Sequence, residues 1–427
     1  MLLYLFGTVI LLTCIYTARH YCFTLDRLFG KQRHPYSDID SAEWPAVTVL
    51  IAAHNEERVI ADIMKALLEV DYPEDRLTII PVNDRSTDGT RDIIDEFVER
   101  YPGRITPFHR SGGKPGKAAA LKDAMRMVET EIVLVFDADY IPGKALIRQL
   151  AAPFFDPEVG SVMGRVVPIN VGRKLLTRLL DLERSGGYQV DQQARMNLGL
   201  VPQYGGTVAG IRTCALEEIG GWDEGTLAED TDLTYRLLLA GWKTVYQNRA
   251  ECYEEVPERW PVRVRQIMRW AKGHNQAMVK YSGAVLTRPG LTFRERLDGF
   301  LLLFVYMMGP VLLLGWGLAI WLFYSGAEIN SQLAILALAG FTTLGNFAAF
   351  FEIAAAAHLD HSRARVRLLP LTFLGFAVSL ISVSRAAFQQ VLDPVLRKEL
   401  VWDKTERSRT HQAPEPAVDQ AVVRGMG

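Results

Sequence analysis

The amino-acid sequence predicts an α/β domain with transmembrane helices at both ends. Between residues 45 and 280, apolar strand-like runs alternate with segments of helical periodicity, and long uncharged stretches lie before and after that region. The 427 residues have a net charge of −2, with 22% charged and 49% hydrophobic residues, so apolar residues are segregated rather than unusually frequent. The balanced charge also argues against a nucleic-acid-binding surface over the whole protein, though not against a local basic patch.

Apolar segments at both ends predict membrane helices. Residues 1–16 carry no charge and lack the basic start and cleavage site of a signal peptide, so we expect a retained transmembrane helix over residues 1–18. About 20 apolar residues cross a bilayer as a helix, and two later segments meet this length. The spanning segments are 299–325 and 331–357; residues 281–298 are expected to be interfacial, and residues 368–392 to be interfacial, re-entrant or transmembrane.

Basic residues predict the orientation of these segments. Arginine, lysine and histidine follow the first span, and three arginines follow the third, which the positive-inside rule places in the cytoplasm. We therefore expect a multi-pass protein of the plasma (inner) membrane, with the domain of residues 45–280 and the tail of residues 393–427 in the cytoplasm. Glu352, within the third span, is either a functional group or a side chain that reaches the interface.

Three continuous apolar runs, residues 46–53, 77–82 and 131–136, predict buried parallel strands. Helical segments alternate with them, including the strong helix former of residues 117–128. This alternation predicts a parallel sheet, whose ligands bind beyond the carboxyl ends of its strands. Polar residues follow each run, so we expect these strand tips to converge on one crevice.

The strand tips contain candidate ligand-binding residues. Asp137 and Asp139 flank one small residue after the third run; in an extended chain their carboxylates point the same way and suit Mg²⁺ or Mn²⁺ with a diphosphate. A solvated strand end is the alternative. Asp84 ends the second run, where it either accepts hydrogen bonds from a base or ribose or caps the next helix. Asn55 and Glu56 follow the first run.

Two further segments place charged groups at predicted helix starts. Residues 109–121 combine glycines and lysines, among them Lys117, with a helix N-terminus, which predicts an anion site. Their spacing and Ala118 do not fit a Walker A loop, and an ordinary flexible loop is the alternative. Glu229 and Asp230 begin another helix, where they either cap it or supply a general base for a sugar hydroxyl.

Seven motifs follow one another within residues 45–280: VLIAAHNEE, NDRSTDGT, GKAAAL, FDAD, GGTVAGIR, AED and QIMRW. This ordered set resembles the inverting family 2 glycosyltransferases. It is most similar to their processive, membrane-bound branch, which includes cellulose, chitin, hyaluronan and poly-N-acetylglucosamine synthases. The resemblance implies a GT-A-type, Rossmann-like domain that uses a nucleotide-sugar donor.

The resemblance also implies how the donor is bound. Asp84 would bind the nucleotide base, and Asp137 and Asp139 would hold the diphosphate with its Mg²⁺ or Mn²⁺. The remaining donor-binding candidates are Asn55, Glu56, Lys117 and Arg269, the last of which would favour the diphosphate leaving group.

Catalytic and acceptor residues follow from the last two motifs. Asp230, with Glu229 beside it, would be the catalytic base in a motif usually written T-E-D, in which Ala228 here replaces the threonine. Gln266 and Trp270 match Q-x-x-R-W and would bind the acceptor sugar, because an indole face suits the C–H face of a sugar.

The tail holds a looser match. Residues 402–407, WDKTER, resemble a gating loop written F-x-V-T-x-K, with Thr405 and Arg407 as further donor-binding candidates. Trp402 and Lys404 depart from that pattern, and a solvated tail is the alternative.

The resemblance implies a processive inverting β-glycosyltransferase that extends a polysaccharide, from UDP-glucose or UDP-N-acetylglucosamine, and passes it through the bilayer. GDP-mannose is another donor to test. A non-processive transferase that adds one sugar to a lipid carrier is the second hypothesis, and a non-catalytic membrane scaffold is the third. Accessory subunits or a homo-oligomer are compatible with each, and a nucleic-acid partner is not expected.

Overall fold

The structure, a computed structural model, describes residues 1–36, 39, 43–326, 331–341 and 343–392. The strands within these residues are β1 (Val47–Ala53), β2 (Leu77–Asp84), β3 (Phe108–Arg110), β4 (Ile132–Asp137), β5 (Ile141–Pro142), β6 (Val159–Pro168), β7 (Ala209–Arg212) and β8 (Lys243–Glu254). They form one sheet in the order β3-β2-β1-β4-β7-β6-β8-β5. The predicted gating residues Thr405 and Arg407 lie outside the described residues.

Helices of the described residues surround the sheet and extend from both ends of the domain. They are α1 (Leu2–Phe29), α2 (Ile60–Leu68), α3 (Thr90–Arg100), α4 (Lys117–Ala124), α5 (Leu146–Ala151), α6 (Leu175–Ser185), α7 (Gln193–Leu198), α8 (Thr213–Glu218), α9 (Glu229–Ala240), α10 (Trp260–Thr287), α11 (Phe293–Phe304), α12 (Met308–Tyr324), α13 (Ser331–Phe341), α14 (Thr343–Leu359), α15 (Arg363–Val366) and α16 (Thr372–Leu392). A π-helical turn, Gly186–Gln192, joins α6 to α7.

The direction of two strands corrects the expectation of a purely parallel sheet. The first four strands run parallel to their neighbours among themselves, as predicted. However, β7 is antiparallel to both β4 and β6, and β5 is antiparallel to β8. An apolar run shows that a strand is buried but carries no information on its direction, because side chains alternate between the faces whichever way the strand runs.

The central strands are apolar throughout because helices cover both faces of the sheet. Val49 and Ile51 of β1 lie in one hydrophobic cluster with Ile63 of α2. Leu50, between them in sequence, lies in a second cluster with Leu121 of α4. The continuous apolar run that predicted β1 is therefore explained by two packed faces.

Strand register places the predicted tips side by side. Ala53 of β1 pairs with Asn83 of β2, and Ala52 pairs with Asp137 of β4. The polar residues after these strands therefore face one crevice at a single edge of the sheet.

Three helical segments of the described residues are long and apolar enough to cross a membrane: Leu2–Phe29, Phe293–Tyr324 and Leu369–Leu392. These helices have different bounds from the predicted segments, whose placement in a membrane stays a prediction. The first helix continues well beyond residue 18. The described residues of the predicted span 331–357 are helical on both sides of residue 342, which lies outside the described residues. The last segment, Leu369–Leu392, has the length of a span. The predicted interfacial segment 281–298 is the end of α10 and the start of α11.

Buried ion pairs explain why α1 continues past its apolar part. Arg19 lies 3.1 Å from Asp191 and 3.3 Å from Asp298, and Arg195 contacts the same two carboxylates. Charged groups this deeply buried must be paired, and the helical path of α1 brings Arg19 to these partners.

Glu352 of α14 lies beside the same helix. Its carboxylate is buried and pairs with His20 of α1. The described contacts of Glu352 therefore indicate a structural link between α1 and α14.

Candidate active site

Asn55 and Glu56 hold two loops together at the crevice. Asn55 Oδ1 accepts a hydrogen bond from the Thr87 amide at 2.7 Å, and the Asn55 amide donates to Ser86 Oγ at 2.9 Å. Asn55 has φ +55°, a left-handed conformation that asparagine tolerates. The Glu56 amide donates to Thr90 Oγ1 at 2.8 Å. These contacts fix the shape of the crevice wall.

Asp84 is the centre of a buried charge network. Its Oδ1 lies 2.6 Å from Arg110 Nη1 and 2.9 Å from Arg85 Nε, while Oδ2 accepts from the Gly116 amide at 3.2 Å. Burial alone would raise the pKa of Asp84, but these donors outweigh it and lower the pKa. Asp84 thus anchors the glycine-rich loop that precedes α4.

Sequence reasoning missed Arg110, which pairs with Asp84. The two residues are register partners at the carboxyl ends of β3 and β2. Since ligands and site residues collect at such ends, identifying Phe108–Arg110 as a strand would have pointed to Arg110.

Lys117, the first residue of α4, links two predicted groups of acids. Its Nζ lies 2.6 Å from Asp137 Oδ1 and 3.6 Å from Glu229 Oε1. It also donates to the Gly206 carbonyl at 2.7 Å. Burial would lower the pKa of Lys117, but the nearby carboxylates raise it, so the ammonium is retained.

Glu229 and Asp230 lie at the start of α9, facing Lys117. Burial raises the pKa of both carboxyl groups. Asp230 Oδ1 accepts from the Thr231 amide at 2.6 Å, so this carboxylate also satisfies a donor of its own helix. The hydrogen bond to its own helix is therefore compatible with a role of Asp230 as a general base.

Gly206 lets its loop approach this acid pair. It has φ +72°, and a Cβ built on it would lie 3.0 Å from Asp230 Cβ. A side chain at this position would be both strained and crowded against the acid.

The Q-x-x-R-W residues lie on α10, next to the acids. Gln266 Oε1 accepts from Arg263 Nη1 at 2.8 Å, and the Arg263 guanidinium lies 5.2 Å from the centre of the Trp270 ring. Gln266 and Trp270 therefore share a face, as their spacing predicted. The positive charge of Arg269 acts to lower the pKa of Asp230, against the larger effect of burial.

A chain of contacts that the motifs did not reveal joins Trp270 to the strand-tip acids. The Arg184 guanidinium lies 5.3 Å from the Trp270 ring centre, and its Nε lies 2.7 Å from Glu254 Oε1. Glu254 Oε2 accepts from the Tyr140 hydroxyl at 2.8 Å. Tyr140 directly follows Asp139, which is 2% exposed. In the sequence, the position of Tyr140 directly after the FDAD motif was the feature that could have identified it.

Asp137 and Asp139 lie at the carboxyl end of β4, where the sequence predicts a divalent cation. No group of three or more His, Cys, Asp or Glu side chains suited to a metal occurs among the described residues. Mg²⁺ does not require such a group, because it is commonly bound by one or two carboxylates together with substrate phosphates. The Asp137 side chain is 31% exposed at the crevice and pairs with Lys117, whereas Asp139 is buried, so the metal role of the two residues stays a prediction.

Comparison with known proteins agrees with this geometry. Residues 45–273 match the family model described as "Glycosyltransferase like family 2". The chain is 31% identical over 404 residues to "Probable glycosyltransferase YdaM" of Bacillus subtilis, covering 92% of this chain and 93% of that protein. It is 32% identical over 273 residues to the beta-monoglucosyldiacylglycerol synthase of Synechocystis sp., covering 64% of this chain and 57% of that protein, so it spans just over half the length of this relative.

A solved structure supports the fold. The mannosyltransferase PcManGT from Pyrobaculum calidifontis, in complex with GDP-Man and Mn²⁺, aligns with a TM-score of 0.60 and 21% identity, covering 92% of this chain and 99% of that one. The domain thus has a GT-A-like α/β fold, and the chain belongs to glycosyltransferase family 2.

Proposed function

We propose that this glycosyltransferase moves one hexose from a nucleoside-diphosphate sugar to a hydroxyl group of a membrane lipid, with inversion. The half-buried acid pair Glu229 and Asp230, beside Lys117 at the end of the sheet, is the observation that carries the transfer chemistry. The lipid acceptor is supported by a relative named for a glucosyldiacylglycerol product. It is also supported by helices that are apolar enough to cross a membrane.

Asp230 accepts the proton of the attacking hydroxyl in this mechanism. The hydroxyl oxygen forms a bond to the anomeric carbon on the face opposite the diphosphate. The bond from that carbon to the diphosphate oxygen breaks, and its electron pair leaves with the nucleoside diphosphate. A raised pKa makes Asp230 a stronger base than an ordinary carboxylate.

Cationic groups stabilise the leaving group. Lys117 and Arg269 flank the acids and would offset the negative charge that develops on the diphosphate. Asp137 and Asp139 would hold Mg²⁺ or Mn²⁺, and the bound ion would supply further positive charge to the same oxygens. The Trp270 ring offers an apolar face to the acceptor.

The donor and the membrane orientation are parts of the same proposal. UDP-glucose is the first donor to test because of the name of the Synechocystis relative, with UDP-N-acetylglucosamine and GDP-mannose as alternatives. The cytoplasmic placement of the domain stays a prediction from the basic residues that follow the apolar segments.

Processive polymerisation is the second candidate. The complete Q-x-x-R-W set of Gln266, Arg269 and Trp270 favours it, because the resemblance associates this motif with polysaccharide synthases. The similarity to the beta-monoglucosyldiacylglycerol synthase of Synechocystis sp. favours transfer of a single sugar.

Product analysis tests these functions. The full-length protein and its Asp230→Asn variant would be placed in lipid nanodiscs that contain diacylglycerol, with Mn²⁺ and one labelled donor at a time. We expect a labelled lipid with one sugar from one donor, and a rate reduced by about 10²–10⁴ in the variant, the usual contribution of a general base. An ethanol-insoluble polymer would establish the processive function instead. Equal product from both proteins would overturn the role of Asp230.

A further inference from the structure

A narrow apolar cleft lies between the catalytic domain and α16. One wall is formed by Leu176, Leu179 and Leu180 of α6, and the opposite wall by Gly375 and Phe376 of α16. The α16 wall belongs to the segment Leu369–Leu392, which is apolar enough to cross a membrane. We refer to this space as the α6–α16 cleft.

The polar end of the α6–α16 cleft meets the proposed acceptor site. Arg263 lines the cleft and pairs with Glu183, which also lines it. The same guanidinium donates to Gln266 at 2.8 Å and lies 5.2 Å from the centre of the Trp270 ring. The Arg263 guanidinium therefore contacts both the cleft and the proposed acceptor residues.

Gly375 leaves open space within this cleft. A Cβ built on Gly375 would meet no atom within 4 Å, although the residue lies inside α16. Glycine weakens a helix interior relative to residues with side chains, so a larger residue here would fill the cleft without opposing the helix.

We propose that the α6–α16 cleft holds a hydrocarbon chain of the lipid acceptor and directs its hydroxyl group to Trp270 and Asp230. This inference rests on the proposed function, since it assigns the binding site of that lipid. The leucine and phenylalanine side chains form most of the two walls and suit a hydrocarbon chain, while Thr372 and Ser379 are the hydroxyl groups of the lining. The pair of Arg263 and Glu183 suits the polar headgroup end of the same molecule.

Photolabelling tests the cleft independently of catalysis. The full-length protein would be placed in phosphatidylcholine nanodiscs with a diacylglycerol whose acyl chain carries a diazirine, and labelled peptides would be identified by mass spectrometry. Any bilayer-facing helix can be labelled, so the informative peptide is Leu176–Glu183 of α6, which lies in the catalytic domain. We expect labelling of this peptide and a loss of at least tenfold in Gly375→Leu.

The matched control is Gly317→Leu. Gly317 also lies inside an apolar helix, α12, and a Cβ there would likewise meet no atom within 4 Å. Labelling of the α6 peptide should persist in this variant. Equal labelling of that peptide in the wild type and Gly375→Leu, or its absence from the wild type, would overturn the inference.

Kinetics separates the inference from the proposed function. Gly375→Leu should raise KM at least tenfold for a long-chain diacylglycerol and much less for a short-chain one, and Gly317→Leu should raise neither. An equal rise for both acceptors would overturn the assignment of the cleft to the hydrocarbon chain. Glycolipid synthesis without labelling of α6 would overturn the cleft alone, while labelling without lipid glycosylation would overturn the acceptor assignment and the proposed function.

Discussion

Lys117 Nζ lies 2.6 Å from Asp137 Oδ1, so the first residue of α4 and the last residue of β4 form an ion pair. The pair brings together a helix N-terminus and a strand tip, two structures that attract phosphates and their cations. It also joins two residues that the sequence placed in separate motifs, and four predictions follow from this and the neighbouring contacts.

Lys117→Met should raise KM for the donor. A hydrogen bond to a charged group contributes about 1.5–3 kcal/mol, which corresponds to about 10- to 100-fold. The measurement is the KM for UDP-glucose, or for whichever donor the product analysis identifies. Lys122→Met is the control on the same helix, because Lys122 is about half exposed and pairs with Glu224 at 3.2 Å. Equal effects of the two changes would show that Lys117 acts only through general charge.

Tyr140→Phe should weaken the binding of the divalent cation that activity requires. The change removes the hydroxyl that donates to Glu254 at 2.8 Å and so loosens the segment that directly follows Asp139. Groups that support metal ligands contribute about 10–100-fold to affinity, and we expect about a tenfold rise in the Mn²⁺ concentration for half-maximal activity.

Tyr36→Phe is the control for Tyr140→Phe. The Tyr36 hydroxyl donates to Asp156 at 2.7 Å, a similar bond in a different part of the structure. EDTA should abolish activity in all three proteins, and Mn²⁺ or Mg²⁺ should restore it. Full activity in EDTA would contradict the assignment of a metal to Asp137 and Asp139.

Arg269→Gln should shift the acidic limb of the pH profile upward. Burial raises the pKa of Asp230, while the charge of Arg269 acts to lower it. Removing the cation disfavours the carboxylate and raises the pKa further. A general base must be unprotonated, so kcat/KM should fall at a higher pH in the variant than in the wild type. Arg265→Gln, one turn earlier on α10, is the control and should leave the acidic limb of the profile unchanged. If Arg269→Gln lowered the rate without shifting the acidic limb, Arg269 would act on the donor and not on the pKa of Asp230.

Arg110→Met should destabilise the protein. Breaking a buried ion pair leaves Asp84 without its closest partner and costs about 3–5 kcal/mol. Thermal unfolding of the detergent-solubilised protein should therefore show a clearly lower midpoint.

Arg100→Met is the control for Arg110→Met. Arg100 pairs with Glu96 on the exposed surface of α3, and loss of a surface pair costs at most about 1 kcal/mol. Similar midpoints for the two variants would contradict the structural role of the Asp84 network.

Local sequence patterns predicted much of the domain. The apolar runs marked β1, β2 and β4, because each has residues such as Leu50 and Ile51 packed on opposite faces. The acidic strand tips and the Q-x-x-R-W helix were also predictable, because each consists of residues that are close in sequence and lie on the same strand end or helix face. The family was predicted correctly, whereas the processive branch is not supported by the relatives, and the roles of the individual site residues stay predictions.

The sequence by itself determined the family, the buried strands, the acidic motifs and the presence of apolar helices. Only the tertiary structure decided the antiparallel direction of β7, the continuation of α1 to Phe29, and the partners of the buried charges. Arg184 and Glu254 are 70 residues apart in the chain, yet their side chains meet at 2.7 Å beside Trp270. The periodicity of a sequence indicates which face of a helix or strand is apolar. It does not indicate which oppositely charged side chain pairs with a buried charge, because that partner is brought close by the packing of elements that are distant in the chain.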